Sequence, residues 1–433
     1  MKQHITKERL THLMHEYVAP ASREPVVRWM AFLSVFMVVG VGAALMVFIK
    51  GLVITNLTDL VPWGLWISID LSAIALAAGA FSVSAIAYLL RKKELQPVAK
   101  TAVFVGFVGY SIAMMMLLLD IGRPDRFWHG FVFWNIHSPL WEVTMCVGLY
   151  FSVLMMEVLP IIGHWHPVEH NFPRLSARMT GLHRFTPVLA LIGLCLSTLH
   201  QSSLGLTYGK LVARPIWYGP WSMAIIFYVT AIIGGIALVT FISLFSAKLT
   251  PKARINKQVL DKMAYGVGWA ALFLLALRWW DLMGMPAEYV PGKTEALYIL
   301  TRGRLAFNFW WLEIILGMVV PAIILLIPQF RRNEQLRMVA LALVAVGVVA
   351  FRWNTNLVGQ LVVFGTVPGS DVPIFTHYTP SLVEILTGTG VIAYGLLAIT
   401  FGVRYLHVID HGEGVEAPAE ASVSAAMVPS SSR

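Results

Sequence analysis

Apolar residues in this chain neither alternate nor recur only at helical spacing. They fill long unbroken runs, and polar residues are pushed to the ends of those runs. A helix rises 1.5 Å per residue, so ~20 apolar residues cross the ~30 Å of bilayer hydrocarbon. The runs predict ten spanning helices, at 28–50, 64–90, 101–120, 139–160, 184–204, 221–247, 260–281, 305–328, 337–358 and 381–404. The polar start, residues 1–27, carries Lys2, Lys7, Arg9 and Arg23, and no small-residue cleavage site follows the first span, so no cleaved signal peptide is expected. The tail, 412–433, is rich in Ala, Ser, Pro and Glu and is expected to be disordered.

Spans 2–5 resemble spans 6–9. Pro62-Trp63 matches Pro220-Trp221, LLLD ending at Asp120 matches RWWD ending at Asp281, SPLWE at Glu142 matches NFWWLE at Glu313, and STLHQSSLG matches RWNTNLVGQ, at offsets of 154 to 171 residues. Units of four helices keep one orientation, so the pattern predicts two parallel four-helix bundles. The expected division is a first helix and loop (28–63), a first bundle (64–204), a second bundle (205–358), and a loop with the tenth helix (359–411), between the polar start and the tail.

Composition agrees. Apolar residues make up 58% of the 433, charged residues 13%, and mean hydropathy is +0.72, outside the range of soluble domains. The net charge of +9 would suit nucleic acid, but the basic residues lie in short loops between spans, where they set orientation. With the N-terminus inside, 22 of the 32 Lys and Arg fall on inner segments and 8 on outer ones, which predicts cytoplasmic termini.

Under that topology nine ionisable residues fall in the outer half of the spans: Asp70, Asp120, Glu142, His200, Arg278, Asp281, Glu313, Arg352 and Glu384. The inner half holds Glu157. A charge at mid-bilayer costs at least ~3 kcal/mol, so such groups have a reason to be there. Twelve of the 15 Trp also lie at or near the outer face, where a simple aromatic belt would occupy both interfaces. Acids, a histidine and indoles together suit a ligand with a polar ring and a lipid tail. The outer connections 121–138, 205–220, 282–304 and 359–380 are long and rich in Gly, Pro and aromatics, as functional or docking loops are.

Other chemistry is excluded or unsupported. Cys146 and Cys195 are too few for an iron–sulfur cluster and read as small buried thiols. Only His137, His183 and His200 touch spans, at opposite ends, so a bis-histidine haem is not expected. No phosphate-cradling G-x-x-x-x-G-K-[ST] occurs. Gly388, Gly390 and the pair Gly234-Gly235 read as close helix packing.

Several stretches carry a resemblance: PWGLWISIDL (62–71), WNIHSPLWEVTMCVGLY (134–150), STLHQSSLG (197–205), RPIWYGPW (214–221), FWWLE (309–313), RWNTN (352–356) and YTPSLVEIL (378–386). The chain resembles the polysulphide-reductase membrane-subunit family (NrfD/PsrC type), most of all its ten-helix branch with the HybB-like hydrogenase-2 membrane subunit. The resemblance implies a haem-free, cluster-free subunit of a respiratory complex in the bacterial inner membrane. Such a subunit exchanges electrons between a quinone, menaquinone or ubiquinone, and a ferredoxin-like four-cluster iron–sulfur subunit on the outer face. A further catalytic or multihaem cytochrome subunit completes the complex. Carried over by residue, Asp70, Glu142 and His200 are the proton-handling candidates. Trp66, Asp120, Arg123, His137 and Trp141 join Asp70 and His200 as quinone-binding candidates. At His137 the hydrogenase relative has Asn, which bonds hydrogen but carries no proton near neutral pH. Ser72, Ser82, Ser84 and Glu157 mark a candidate inner proton path. Parallel repeats with polar groups in the membrane also occur in secondary transporters, which is the alternative reading.

Overall fold

The computed structural model describes residues 24–219, 222–249, 256–287, 290–364, 372–406 and 408. The polar start up to residue 23, the tail, and Pro220-Trp221 lie outside the described residues. Among those described, ten helices are long and apolar enough to cross a membrane. They are α1 (Pro25–Lys50), α2 (Leu65–Leu89), α3 (Gln96–Asp120), α4 (Pro139–Gly163), α5 (Thr186–Lys210), α6 (Ser222–Leu249), α7 (Lys257–Gly284), α8 (Asn308–Leu326), α9 (Glu334–Leu361) and α10 (Leu382–Tyr405). The chain is thus an all-α, multi-pass integral membrane protein.

Local chemistry sets the ends. Proline opens α1, α3, α4 and α5 in the first turn, where its missing N–H costs nothing. Ser138, Asn256 and Asn333 accept from first-turn amides of α4, α7 and α9. Ser381 and Glu384 form a reciprocal capping box on α10. Glu384 is fully buried and also accepts from the Asn56 amide and the Tyr378 hydroxyl, so it is a structural acid tying α10 to the α1–α2 connection.

The structure departs from the sequence expectation in four places. Helix α5 runs on to Lys210, through residues expected to be loop. The connection after α9 contains a two-stranded antiparallel ladder, β1 (Val362–Phe364) and β2 (Pro373–Phe375), with Val363 opposite Ile374. Residues Asn308–Val319 of α8 are π-helical before the α-helical Val320–Leu326. Pro321 has no N–H to return to the turn before it, and its ring crowds a carbonyl there, which disfavours a continuous α-ladder. Finally, Cys146 is buried as expected, but Cys195 faces outward.

Packing contacts run α2–α3, α3–α4, α4–α5 and α5–α2, and separately α6–α7, α7–α8, α8–α9 and α9–α6. Helix α6 joins the two sets by packing on α2 and α5, and α1 pairs with α10. Small residues make the closest crossings. A Cβ on Gly79 would overlap the Ala231 carbonyl, and one on Gly235 would overlap the Gly79 backbone, so α2 and α6 touch main chain to main chain. Gly40 and Gly390 do the same for α1 and α10. Every even-numbered helix begins at one face, called here the Trp-rich face.

Candidate functional site

Within the α2–α5 set, near the Trp-rich face, lies a cavity of about 300 Å³. That is the lower end of the range for small-molecule sites. Helix α2 presents Ile67, Asp70 and Leu71 to it, positions i, i+3 and i+4 of one face. Leu117 and Asp120 come from α3, Val143 and Val147 from α4, and Leu204 and Tyr208 from α5. Phe127 and Phe131, in the connection before α4, cover the mouth and are themselves 55% and 41% exposed. The wall is therefore apolar, with two carboxyl groups in it and an aromatic edge toward lipid.

Both carboxyl groups in the lining have an oxygen without a partner. One carboxylate oxygen, Oδ1, of Asp70 and the same atom of Asp120 are buried without a hydrogen bond, and the two carboxyls interact electrostatically. A turn deeper, the Tyr110 hydroxyl meets His200 Nδ1 at 2.8 Å, and the Tyr110 and Tyr150 rings stand 4.5 Å apart, edge on. His200 Nε2 and the Tyr150 hydroxyl are buried and unpaired as well. Buried polar atoms are almost always satisfied, so the two unpaired carboxyl oxygens in the lining are what a site for a polar ligand or water would present.

Helix α9 holds the frame. Asn356 accepts from the Tyr208 hydroxyl at 2.9 Å and donates to the Trp63 carbonyl and Ser68 Oγ. Arg352 lies 3.6 Å above the Phe227 ring and donates through Nη2 to Gln201 Oε1, the Phe227 carbonyl and Thr230 Oγ1. Gln201 neighbours His200, so the buried guanidinium fixes the turn that carries the histidine.

Of the sequence candidates, Asp70 and Asp120 line the cavity, and His200 sits behind its floor. Glu142 is half-buried in the first turn of α4, next to the lining residue Val143. The other four lie outside the lining. Trp66 is buried against α10, its Nε1 donating to the Glu384 carbonyl. Trp141 donates to the Gly130 carbonyl and packs on Trp134. His137 is exposed in the connection. Arg123 pairs with Asp125 through two hydrogen bonds of 3.0 Å in the open, which holds the Asp125 carboxyl below its usual range. Sequence reasoning missed Tyr110, Tyr150 and Tyr208. The signal available was their i, i+4 relation to lining positions on α3 and α5, and i, i+3 on α4, which becomes usable only once the lining is known. Among the described residues no three His, Cys, Asp or Glu side chains converge as a metal site would require.

The α6–α9 set carries charges of its own, and they are tied to one another. Arg278 donates from Nε to Glu313 at 2.8 Å and from Nη1 to Asp281 at 3.0 Å, and Asn354 donates to the other Glu313 oxygen at 2.6 Å. The space nearby is about 10 Å³. Asp281 and Asp120 are repeat partners. Three residues before Asp281 stands Arg278; three before Asp120 stands Leu117, which lines the cavity. At this position an arginine ties the two acids of the α6–α9 set together, where the α2–α5 set has an apolar residue in the cavity wall.

The family model for polysulphide reductase, NrfD, matches residues 53–364. The integral membrane subunit of menaquinone reductase from Nitratidesulfovibrio vulgaris is 32% identical, over 88% of this chain and 91% of its own. The Hdr-like menaquinol oxidoreductase integral membrane subunit of Archaeoglobus fulgidus is 25% identical, over 82% and 87%. The probable Ni/Fe-hydrogenase 2 b-type cytochrome subunit of Escherichia coli is 24% identical, over 82% and 86%. By sequence the hydrogenase subunit is the less similar of these to this chain than the menaquinone reductase subunit.

Proposed function

The chain belongs to the polysulphide reductase NrfD family, and on that premise we propose that it takes a quinone as substrate in the α2–α5 cavity. It serves there as the haem-free membrane subunit of a respiratory oxidoreductase complex. Electrons pass between the quinone and an iron–sulfur subunit docked at the Trp-rich face, and the Lys/Arg-rich face with both termini lies in the cytoplasm. The relatives named for menaquinone and menaquinol support menaquinone as the quinone. The observation that carries the reading is the pair of unpaired carboxyl oxygens on Asp70 and Asp120 in an otherwise apolar hollow.

Quinone reduction takes up two protons with its two electrons, so the chain must deliver or accept protons at the ring oxygens. Asp70 holds one side. His200 acts from behind through the Tyr110 hydroxyl, and Glu142 stands at the wall. Phe127 and Phe131 shield the ring end from water and let a prenyl tail leave toward lipid.

The repeat supplies the test. Leu117→Arg would place a guanidinium three residues before Asp120, as Arg278 stands before Asp281. We expect the variant protein to insert normally, to co-purify without quinone, and to lose quinone-linked electron transfer. Leu117→Met keeps the hollow and should retain both. Unchanged bound quinone in Leu117→Arg would remove the cavity from the reaction.

Proton uptake from the opposite face has its own candidates. Ser72 and Ser82 hydrogen-bond their own helix, to the Ser68 and Ala78 carbonyls, as isolated helix serines do. Below the floor, Tyr150 interacts electrostatically with Glu157, whose two carboxyl oxygens are buried without partners. In liposomes of the whole complex with a trapped pH dye, Glu157→Gln should abolish the internal pH change while quinone turnover continues. An internal change of the parent's size in Glu157→Gln would exclude this route.

A further inference from the structure

Helices α2 and α6 touch at Gly79, Ala231 and Gly235, and a wedge opens between them and α7. The wedge so opened is about 250 Å³. Val83 and Ile86 form one side, Ile232 and Ile236 the other, and Met263 and Gly266 of α7 close the third. Its lining is apolar throughout. It opens sideways at Ile86, which is 40% exposed, and at Gly266, where an added Cβ would meet nothing within 4 Å. A crevice open to the bilayer between three helices is a place for an acyl chain.

The rim of the wedge is basic. The turn after α2 carries Arg91, Lys92 and Lys93, all exposed, just beyond Ile86 and before the lining residue Leu95. Lys262, also exposed, precedes Met263 on the opposite wall. None of these four makes an ion pair among the described residues. The nearby acid on α7, Asp261, is already engaged by Arg331 and Arg337 at 3.3 and 2.9 Å. Glu94 is the one acidic residue in the basic turn, and it is exposed. Arg91 is held at φ 51°, the one non-glycine residue with positive φ among those described, and Lys92 closes the turn onto the Ala87 carbonyl at 3.0 Å. The turn is therefore fixed, with its charges gathered where α2 ends.

We propose that this wedge is a binding site for one anionic phospholipid. An acyl chain fills the apolar crevice, and the phosphate lies between the Arg91–Lys93 turn and Lys262. Basic residues at a crevice between spanning helices favour an anionic headgroup, and an apolar interior favours its chain. The site stands apart from the cavity near the Trp-rich face and does not depend on what that cavity binds.

The test uses the full chain in lipid nanodiscs with phosphatidylglycerol or phosphatidylcholine spin-labelled on the acyl chain. A motionally restricted population is expected for phosphatidylglycerol at several-fold higher affinity than for phosphatidylcholine, and the difference should shrink at high salt. Replacing Lys92, Lys93 and Lys262 together by Gln, all surface positions, should remove the several-fold preference and bring phosphatidylglycerol affinity to that of phosphatidylcholine. Gly266→Leu should displace both labelled lipids. The proposal fails if parent protein restricts the two lipids equally, if the triple variant keeps the parent's preference, if Gly266→Leu retains both labelled lipids as the parent does, or if added quinone expels the label from the parent.

Discussion

Asp70→Asn is expected to lower quinone-linked electron transfer by ~10²–10⁴-fold, the usual contribution of a positioned proton donor or acceptor. The substitution keeps the size of the side chain and one carbonyl oxygen. It removes only the ability to exchange a proton. Because Asp70 Oδ1 has no partner, no hydrogen bond is broken, and membrane accumulation should match the parent. Bound quinone should also persist, since the apolar walls at Ile67, Leu71, Val147 and Leu204 are untouched. The expected pattern is therefore retained quinone with lost turnover, opposite to a folding defect. Ser72→Ala is the control: its hydroxyl bonds the Ser68 carbonyl at 2.7 Å, away from the cavity, and turnover should not change. His200→Phe should fall between. It removes the Nδ1 partner of Tyr110 and leaves that hydroxyl free to swing, so it acts at one remove from the ring. The measurement is quinol oxidation by the reconstituted complex. Parental rates in Asp70→Asn would take the carboxyl out of the chemistry.

Why some of this was readable and some not follows from what each signal depends on. The spans are a one-dimensional property, a run of apolar residues long enough for hydrocarbon, so their number follows from the chain alone. The placement of Asp70, Asp120 and His200 toward the Trp-rich end of their spans is also one-dimensional, because depth is counted along a helix. Which face of each helix turns inward is not. With hydrophobic residues all round, no amphipathic stripe points to the core, and Trp66 and Trp63 look alike in sequence. The structure buries Trp66 against α10 and puts Trp63 on the cavity. The same ambiguity hid Tyr110 and Tyr150, since a tyrosine in an apolar span reads as packing until its neighbours are known. The repeat is visible because Pro-Trp, an Asp closing a span and a Glu just after a Trp recur in order. Its functional content lies in a difference, Leu117 against Arg278, that gains meaning only from the cavity beside the one and the ion pairs around the other.

Arg278→Met is expected to destabilise the protein by ~3–5 kcal/mol, the cost of leaving one side of a buried ion pair without its partner. Arg278 and Glu313 are fully buried and Asp281 nearly so. Removing the guanidinium strands two carboxylates inside the membrane. Asn354 and Ser222 bond them but bring no charge. Replacing Glu313 by Gln in the same chain should recover part of the loss, because a neutral amide costs less to bury than a carboxylate. Arg278→Lys should fall in between: the charge stays, but a single ammonium cannot reproduce the two-sided fork that spans Glu313 and Asp281 at 2.8 and 3.0 Å. The opposing term is desolvation, which in a buried pair can exceed the attraction. The discriminating quantity is therefore the coupling: the thermal midpoint in detergent of the double variant should lie above that of Arg278→Met alone. Equal midpoints for parent and Arg278→Met would mean that the carboxylates find other partners and that the second helix set is not held by this network.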